Sequence, residues 1–138
     1  VESSSPYYPD VTFALDLPDA YFPLEENHEL RFSYHMYGSA MGMLEVLAET
    51  DVSGAMSWTI LWEEQGDLGN SWQIASAAVP SSTTRLRFFG TTGTSYTSDM
   101  AIDDVSLEVA PTAAPATSPP SAISVPTTTL IRLIESVS

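Results

Sequence analysis

The stretch Leu30-Arg31-Phe32-Ser33-Tyr34-His35-Met36-Tyr37-Gly38 decides how this chain is read. Apolar and polar residues alternate along it. Leu30, Phe32, Tyr34 and Met36 fall on one face, and Arg31, Ser33, His35 and Tyr37 on the other. Successive side chains of a β-strand point to opposite sides, so this period of two predicts a strand with one face in a core. Working outward, Gly38 and Gly42 bracket a turn and Met43 to Thr50 is the next predicted strand. On the N-terminal side, Val11, Phe13, Leu15 and Leu17 alternate with Thr12, Ala14 and Asp16 as a half-buried strand. Pro18, Asp19 and Pro23 then break the pattern, and Glu25-Glu26-Asn27-His28 reads as a solvated loop. Residues 1 to 10 are polar and turn-rich.

On the C-terminal side, Asp51-Val52-Ser53-Gly54 is a turn. Ser57 to Glu64 is a strand expected to put Trp58, Ile60 and Trp62 together on a core-facing side. Gly66-Asp67-Leu68-Gly69-Asn70 is a loop, and Ser71 to Val79, Thr84 to Phe89 and Met100 to Val109 are the remaining strands. Arg85 and Arg87 share one face of their strand, solvated or partnered by nearby acids, with Leu86 and Phe88 opposite. Short strands at near-regular spacing, without a helical period or an internal repeat, predict an all-β, antiparallel β-sandwich over residues 1–110.

Composition narrows the functional classes. The chain has 138 residues, room for one domain and a tail, with 43% hydrophobic residues to build a core. Eighteen acidic residues face four arginines, for a formal net charge of −14. Such a surface repels phosphate backbones and anionic lipid, so no nucleic acid and no direct membrane contact are expected. It favours a cation, a basic partner or plain solubility. The absence of cysteine removes disulfides, thiolate metal sites and a cysteine nucleophile together. No apolar run reaches membrane-spanning length, the N-terminus is not a signal peptide, and no Asn-x-Ser/Thr sequon is present. Val1 is not a start residue, so the chain reads as cut from something longer.

From Pro111 the composition changes to a Pro/Ser/Thr/Ala-rich tract over 111–129, which cannot support a ladder or a helix and is expected to be a disordered linker or stalk. In a secreted protein such a tract is an O-glycosylated stalk, and the sequence does not separate that from an ordinary linker. Residues 130–138 form a short apolar tail, with Leu130, Ile131, Leu133, Ile134 and Val137 at helical spacing, to which no role is assigned.

Few side chains suggest catalysis. No Gly-x-Ser-x-Gly elbow accompanies His28 or His35, and no pair among the many carboxylates stands out for acid–base work. The loop Glu63-Glu64-Gln65-Gly66-Asp67 with Asn70 lacks the alternating ligand spacing of an EF-hand and reads as a structural turn. Asp103 shares strand parity with Ala101, Val105, Leu107 and Val109, so regular geometry would aim a carboxylate at the apolar face, at a cost unless it is paired, hydrogen-bonded or metal-bound. Ile102 has the opposite parity, which leaves a bulge or burial on both faces as alternatives.

Taken in order, Leu30 to Gly38, Met41-Gly42-Met43-Leu44-Glu45-Val46, Trp58-Thr59-Ile60-Leu61-Trp62-Glu63, Gly66-Asp67-Leu68-Gly69-Asn70-Ser71-Trp72 and Met100-Ala101-Ile102-Asp103-Asp104-Val105-Ser106-Leu107 resemble the MAM domain of meprins, neuropilins and receptor-type tyrosine phosphatases. The resemblance implies a jelly-roll-like sandwich at the cell surface or outside the cell. Its expected work is non-catalytic recognition or adhesion through a protein ligand or self-association. It also makes Asp103, with Asp104 second, the candidate ligand of a structural calcium ion, the one cofactor expected, completed by acids near the family's first strand. Two departures stand out: Glu29 occupies a position where the family usually has cysteine, and Phe89 one where it often has an acid. A family section rich in aromatics and acids has no counterpart ahead of the matched stretch, so an N-terminally incomplete domain with exposed strand edges is expected. The competing reading is a carbohydrate-binding jelly-roll module attached to a secreted enzyme, which would use exposed tryptophans as a sugar platform; in the MAM reading Trp72 packs inside.

Overall fold

The computed structural model describes residues 10–112. The Pro/Ser/Thr-rich stretch from 113 and the apolar tail 130–138 lie outside the described residues. Seven strands follow one another: β1 (Thr12–Asp16), β2 (His28–Tyr37), β3 (Met43–Val52), β4 (Ala55–Gln65), β5 (Gln73–Val79), β6 (Thr83–Thr91) and β7 (Asp99–Val109), with one 3-10 turn at Asp19–Tyr21. They pair antiparallel into a four-stranded sheet of order β1-β6-β3-β4 and a three-stranded sheet of order β5-β2-β7. The nested pairs β3–β6 and β2–β7 fall in different sheets, a jelly-roll-like winding. The expected all-β sandwich is therefore what forms.

The alternation in β2 explains the packing. Leu30, Phe32, Tyr34 and Met36 are all buried and meet Leu44, Val46 and Ala48 of β3 and Leu86 and Phe88 of β6 across the sandwich. Each such side chain withdrawn from water stabilises the fold by about 1.5–3 kcal/mol. Phe32 is the hub, edge-on to Phe88 at 5.0 Å and to Trp62 at 5.1 Å between ring centroids. The β3–β4 hairpin turns through Ser53 and Gly54, both at positive φ (57° and 86°), with the Gly54 amide donating to Asp51 Oδ1 at 2.7 Å. A turn with two such residues matches the twist of the flanking strands. In β1, Phe13 lies directly across from Gly90, where any side chain would collide with its ring.

Two strands depart from strict alternation, and each departure corrects an expectation. In β4 the register slips opposite Val46 and Leu47, so Trp62 pairs with Val46 but Ile60 with Leu47. The extra residue, Leu61, turns inward against the core beside Trp62, while Trp58 and Ile60 emerge on the solvent side, 37% and 51% exposed. The three do not share a face. In β7 the slip falls at Asp104 and Val105, opposite Phe32, with Asp104 at φ +51°. Met100 and Ile102 before the bulge and Leu107 after it point inward, and Asp103 points to solvent across from Ser33. Asp103 is thus exposed, not aimed into the apolar face.

Candidate functional site

The outer face of the three-stranded sheet carries a row of rings. His35 and Tyr37 project outward from β2, and Trp72 reaches back over His35 from the residue preceding β5. Ring centroids are 5.5 Å apart for His35–Trp72 and 6.2 Å for His35–Tyr37, tilted by 48° and 55°. Trp72 is 52% and Tyr37 47% exposed, and Ile74 beside them is 76% exposed.

The loop 66–72 holds this row in place. Asp67 Oδ1 accepts the backbone N–H groups of Gly38 (3.2 Å) and Gly69 (3.0 Å). The Leu68 amide donates to Met36 O at 3.0 Å, and its side chain packs against the core. The loop is thereby fastened to the end of β2, and Asn70 Oδ1 accepts a hydrogen bond from His35 Nε2 at 3.0 Å. These contacts give Asp67 to Asn70 the structural role expected of the acidic loop, whose first residues, Glu63 to Gln65, are the end of β4. They also set the exposed indole of Trp72, which was expected to pack inside. Its own parity was a usable signal: Ala75, Ala77 and Val79 face inward, so the even-numbered positions of β5 face out.

Asp103 and Asp104 lie on this same outer surface, next to Ser33. Asp103 Oδ1 accepts the Asp104 backbone N–H at 2.8 Å, and Ser33 Oγ donates to Asp104 Oδ2 at 3.4 Å. The bulge therefore satisfies the first carboxylate locally, the alternative in which Asp103 accepts backbone N–H bonds. No group of three His, Cys, Asp or Glu side chains that could hold a metal ion occurs among the described residues.

The outer face of the four-stranded sheet is arranged otherwise. The Arg87 guanidinium sits over the Trp58 ring, 4.7 Å from its centroid, and donates to both carboxylate oxygens of Asp16, at 2.6 and 2.9 Å. This forked hydrogen bond holds the Asp16 carboxyl below its ordinary range and raises Arg87 further. Arg85 lies 3.9 Å from Glu49. Beside them Glu45 is only 8% exposed; burial first, and then the neighbouring Glu63, push its carboxyl above the ordinary value.

Between the open edges of β1 and β7 runs a groove of about 490 Å³, lined by Leu15, Leu17, Tyr21, Phe88, Val105 and Leu107. Its one titratable acid, Asp16, is the partner of Arg87. His28 is remote from the ring row; its Nδ1 is bonded to Glu26 O at 2.8 Å. Among the described residues no helix is long and apolar enough to cross a membrane.

Comparison with known proteins agrees with this architecture. The family model "MAM domain, meprin/A5/mu" matches residues 3–112. The human MAM domain-containing glycosylphosphatidylinositol anchor protein 1 is 41% identical over 78 residues, which are 56% of this chain and 8% of that protein. Mouse MAM domain-containing protein 2 is 39% identical over 89 residues, 62% of this chain and 12% of the relative. This chain thus spans only about a tenth of the length of the curated relatives it matches. Among solved structures, the K3 cleaved adhesin domain of Lys-gingipain from Porphyromonas gingivalis superposes with a TM-score of 0.52 at 16% identity, covering 70% of this chain and 61% of that one, a likeness of fold. With the family model matched over most of its length, the chain belongs to the MAM domain family.

Proposed function

We propose that this domain is a non-catalytic recognition module, displayed outside the cell or at its surface, that binds a protein ligand or a second copy of itself. The observation that carries the reading is the row Tyr37–His35–Trp72. Half-exposed aromatic rings rooted in a sheet and pinned by a hydrogen-bonded loop offer contact area with little conformational entropy left to lose. The titratable side chains support the non-catalytic part. Asp16 is neutralised by Arg87, and Glu45 lies on the opposite sheet from His35. The cell-surface setting draws on the family and on relatives whose names include a glycosylphosphatidylinositol anchor.

A bead-aggregation assay with the full chain, together with pull-down of defined extracellular proteins, tests the reading. Saturable binding that weakens on Trp72→Ala supports it, and no association at high concentration contradicts it. The carbohydrate-module reading draws on the same exposed indole. However, rings tilted by about half a right angle make a poor floor for a flat sugar face. Oligosaccharide titrations that leave tryptophan fluorescence unchanged would set it aside. Calcium is tested by thermal unfolding in the ion and then in chelator. Two exposed carboxylates, each already accepting a hydrogen bond, supply too few ligands, so an unchanged midpoint is expected. A higher midpoint in calcium would mean that Asp103 and Asp104 are completed by further oxygens.

A further inference from the structure

The two outer faces of the sandwich pose the same chemical problem, and the chain supplies a complete answer on only one. Over Trp58 lies the Arg87 guanidinium, its charge met by Asp16: a ring beneath, a cation above and a carboxylate at its side. On the other face Trp72 and Tyr37 supply rings, and Asp103 and Asp104 supply carboxylates. The strand register gathers these components. His35 pairs with Ala101, and Ser33, two positions along, pairs with both Ile74 and Asp103. Residues two apart on a strand are separated by about 7 Å and neighbouring strands by about 4.8 Å, so the carboxylates of β7 stand diagonally across β2 from the rings and edge the same face. Arg85 and Arg87 belong to the four-stranded sheet. Arg31, the remaining described arginine, stands on β2 four positions from His35 and two from Ser33, and among the described residues it forms no ion pair with Asp103 or Asp104. No described arginine lies over Trp72.

We propose that the outer face of the three-stranded sheet, built on Trp72, His35 and Tyr37 and edged by Asp103 and Asp104, docks an arginine- or lysine-bearing segment of a partner protein. The cationic head lies against the indole or phenol ring and its charge is met by the carboxylates. The inference rests on the recognition role and adds the chemistry of the partner. Three things favour such an occupant: the charge complementarity of a chain with net −14, the exposed rings, and the same arrangement filled internally at Trp58.

The probe is a fluorescein-labelled peptide of alternating arginine and serine, titrated with the full chain and followed by anisotropy. Trp72→Ala is expected to weaken binding about tenfold, as loss of a desolvated cation–π contact would. The double variant Asp103→Asn/Asp104→Asn should weaken it severalfold, and Glu25→Gln/Glu26→Gln, with the same loss of charge elsewhere, should leave it within about twofold. Equal losses from the two charge-neutralising variants, or unchanged binding by Trp72→Ala, would show attraction to general acidity and overturn the proposal. Binding of neutral oligosaccharide at Trp72 in place of the peptide would overturn it as well. If the peptide ignores this face while a protein ligand is still captured in the bead assay, the proposal falls and the recognition role stands. Both fall if no protein ligand is found at all.

Discussion

The outer faces of the two sheets share a core and differ in how each treats its exposed tryptophan. On the four-stranded sheet Trp58 is covered by Arg87, and Arg87 is held by Asp16 in a forked pair across β1 and β6. On the three-stranded sheet Trp72 is supported from beneath by His35 and held by a loop, and its outer side faces solvent. One face is internally satisfied; the other is organised to the point of contact and left open. With recognition on the open face, as proposed, fold stability and binding would reside in different parts of the molecule. Substitutions should separate them.

The most severe way to break the comparison is to remove the floor common to both faces. Phe32→Ala should cost about 3–5 kcal/mol in denaturant unfolding, because the ring is fully buried between Phe88 and Trp62. A loss below about 1 kcal/mol would mean that the sheets do not depend on this packing. Asp16→Asn should cost about 1 kcal/mol or less, since both partners are partly solvated. Because the Asp16 carboxyl is held below its ordinary value of 3.8, its contribution is present above that pH and is lost as pH falls through the lowered value. The gap between wild type and Asp16→Asn should close there. Glu45→Gln should act in the opposite sense. Burial raises the Glu45 carboxyl above 4.5, so its stabilising contribution is fully present below that pH and lost as pH rises through the raised value. The glutamine variant should then be the more stable protein at pH 7 and match wild type below about pH 4 in thermal unfolding. The smallest effect is expected at Trp72→Ala, within about 0.5 kcal/mol of wild type, because a half-exposed ring contributes mainly to contact.

Much of this arrangement can be read before any coordinates are known, and the misreadings share one physical cause. The alternation places each side chain from Leu30 to Tyr37 on its correct face, although β2 begins earlier, at His28, which reads as loop from sequence; the turn at Asp51 to Gly54 closes the hairpin as expected. Trp58 and Asp103 were misplaced by parity because each lies beyond a bulge, where one extra residue reverses inside and outside. Bulges leave little mark in composition. Leu61 next to Trp62, and Ile102 of opposite parity to Leu107, are the faint signs here. The cluster around Trp72 was out of reach for another reason. It is assembled by contacts between residues far apart in the chain, His35 with Asn70 and Gly38 with Asp67, which no local pattern encodes. The pairing of Arg87 with Asp16, 71 residues away, was anticipated only as an arginine beside some acid.

Two-dimensional ¹⁵N–¹H spectra of the full chain tests the difference between the faces most directly, since the three tryptophans report separately through their indole N–H groups. Titration with the arginine-bearing peptide should shift the Trp72 indole saturably and leave those of Trp58, beneath Arg87, and Trp62, against the core, where they are. A shift confined to Trp58, or equal movement of Trp58 and Trp72, would contradict the account, because the closed face would then be as receptive as the open one.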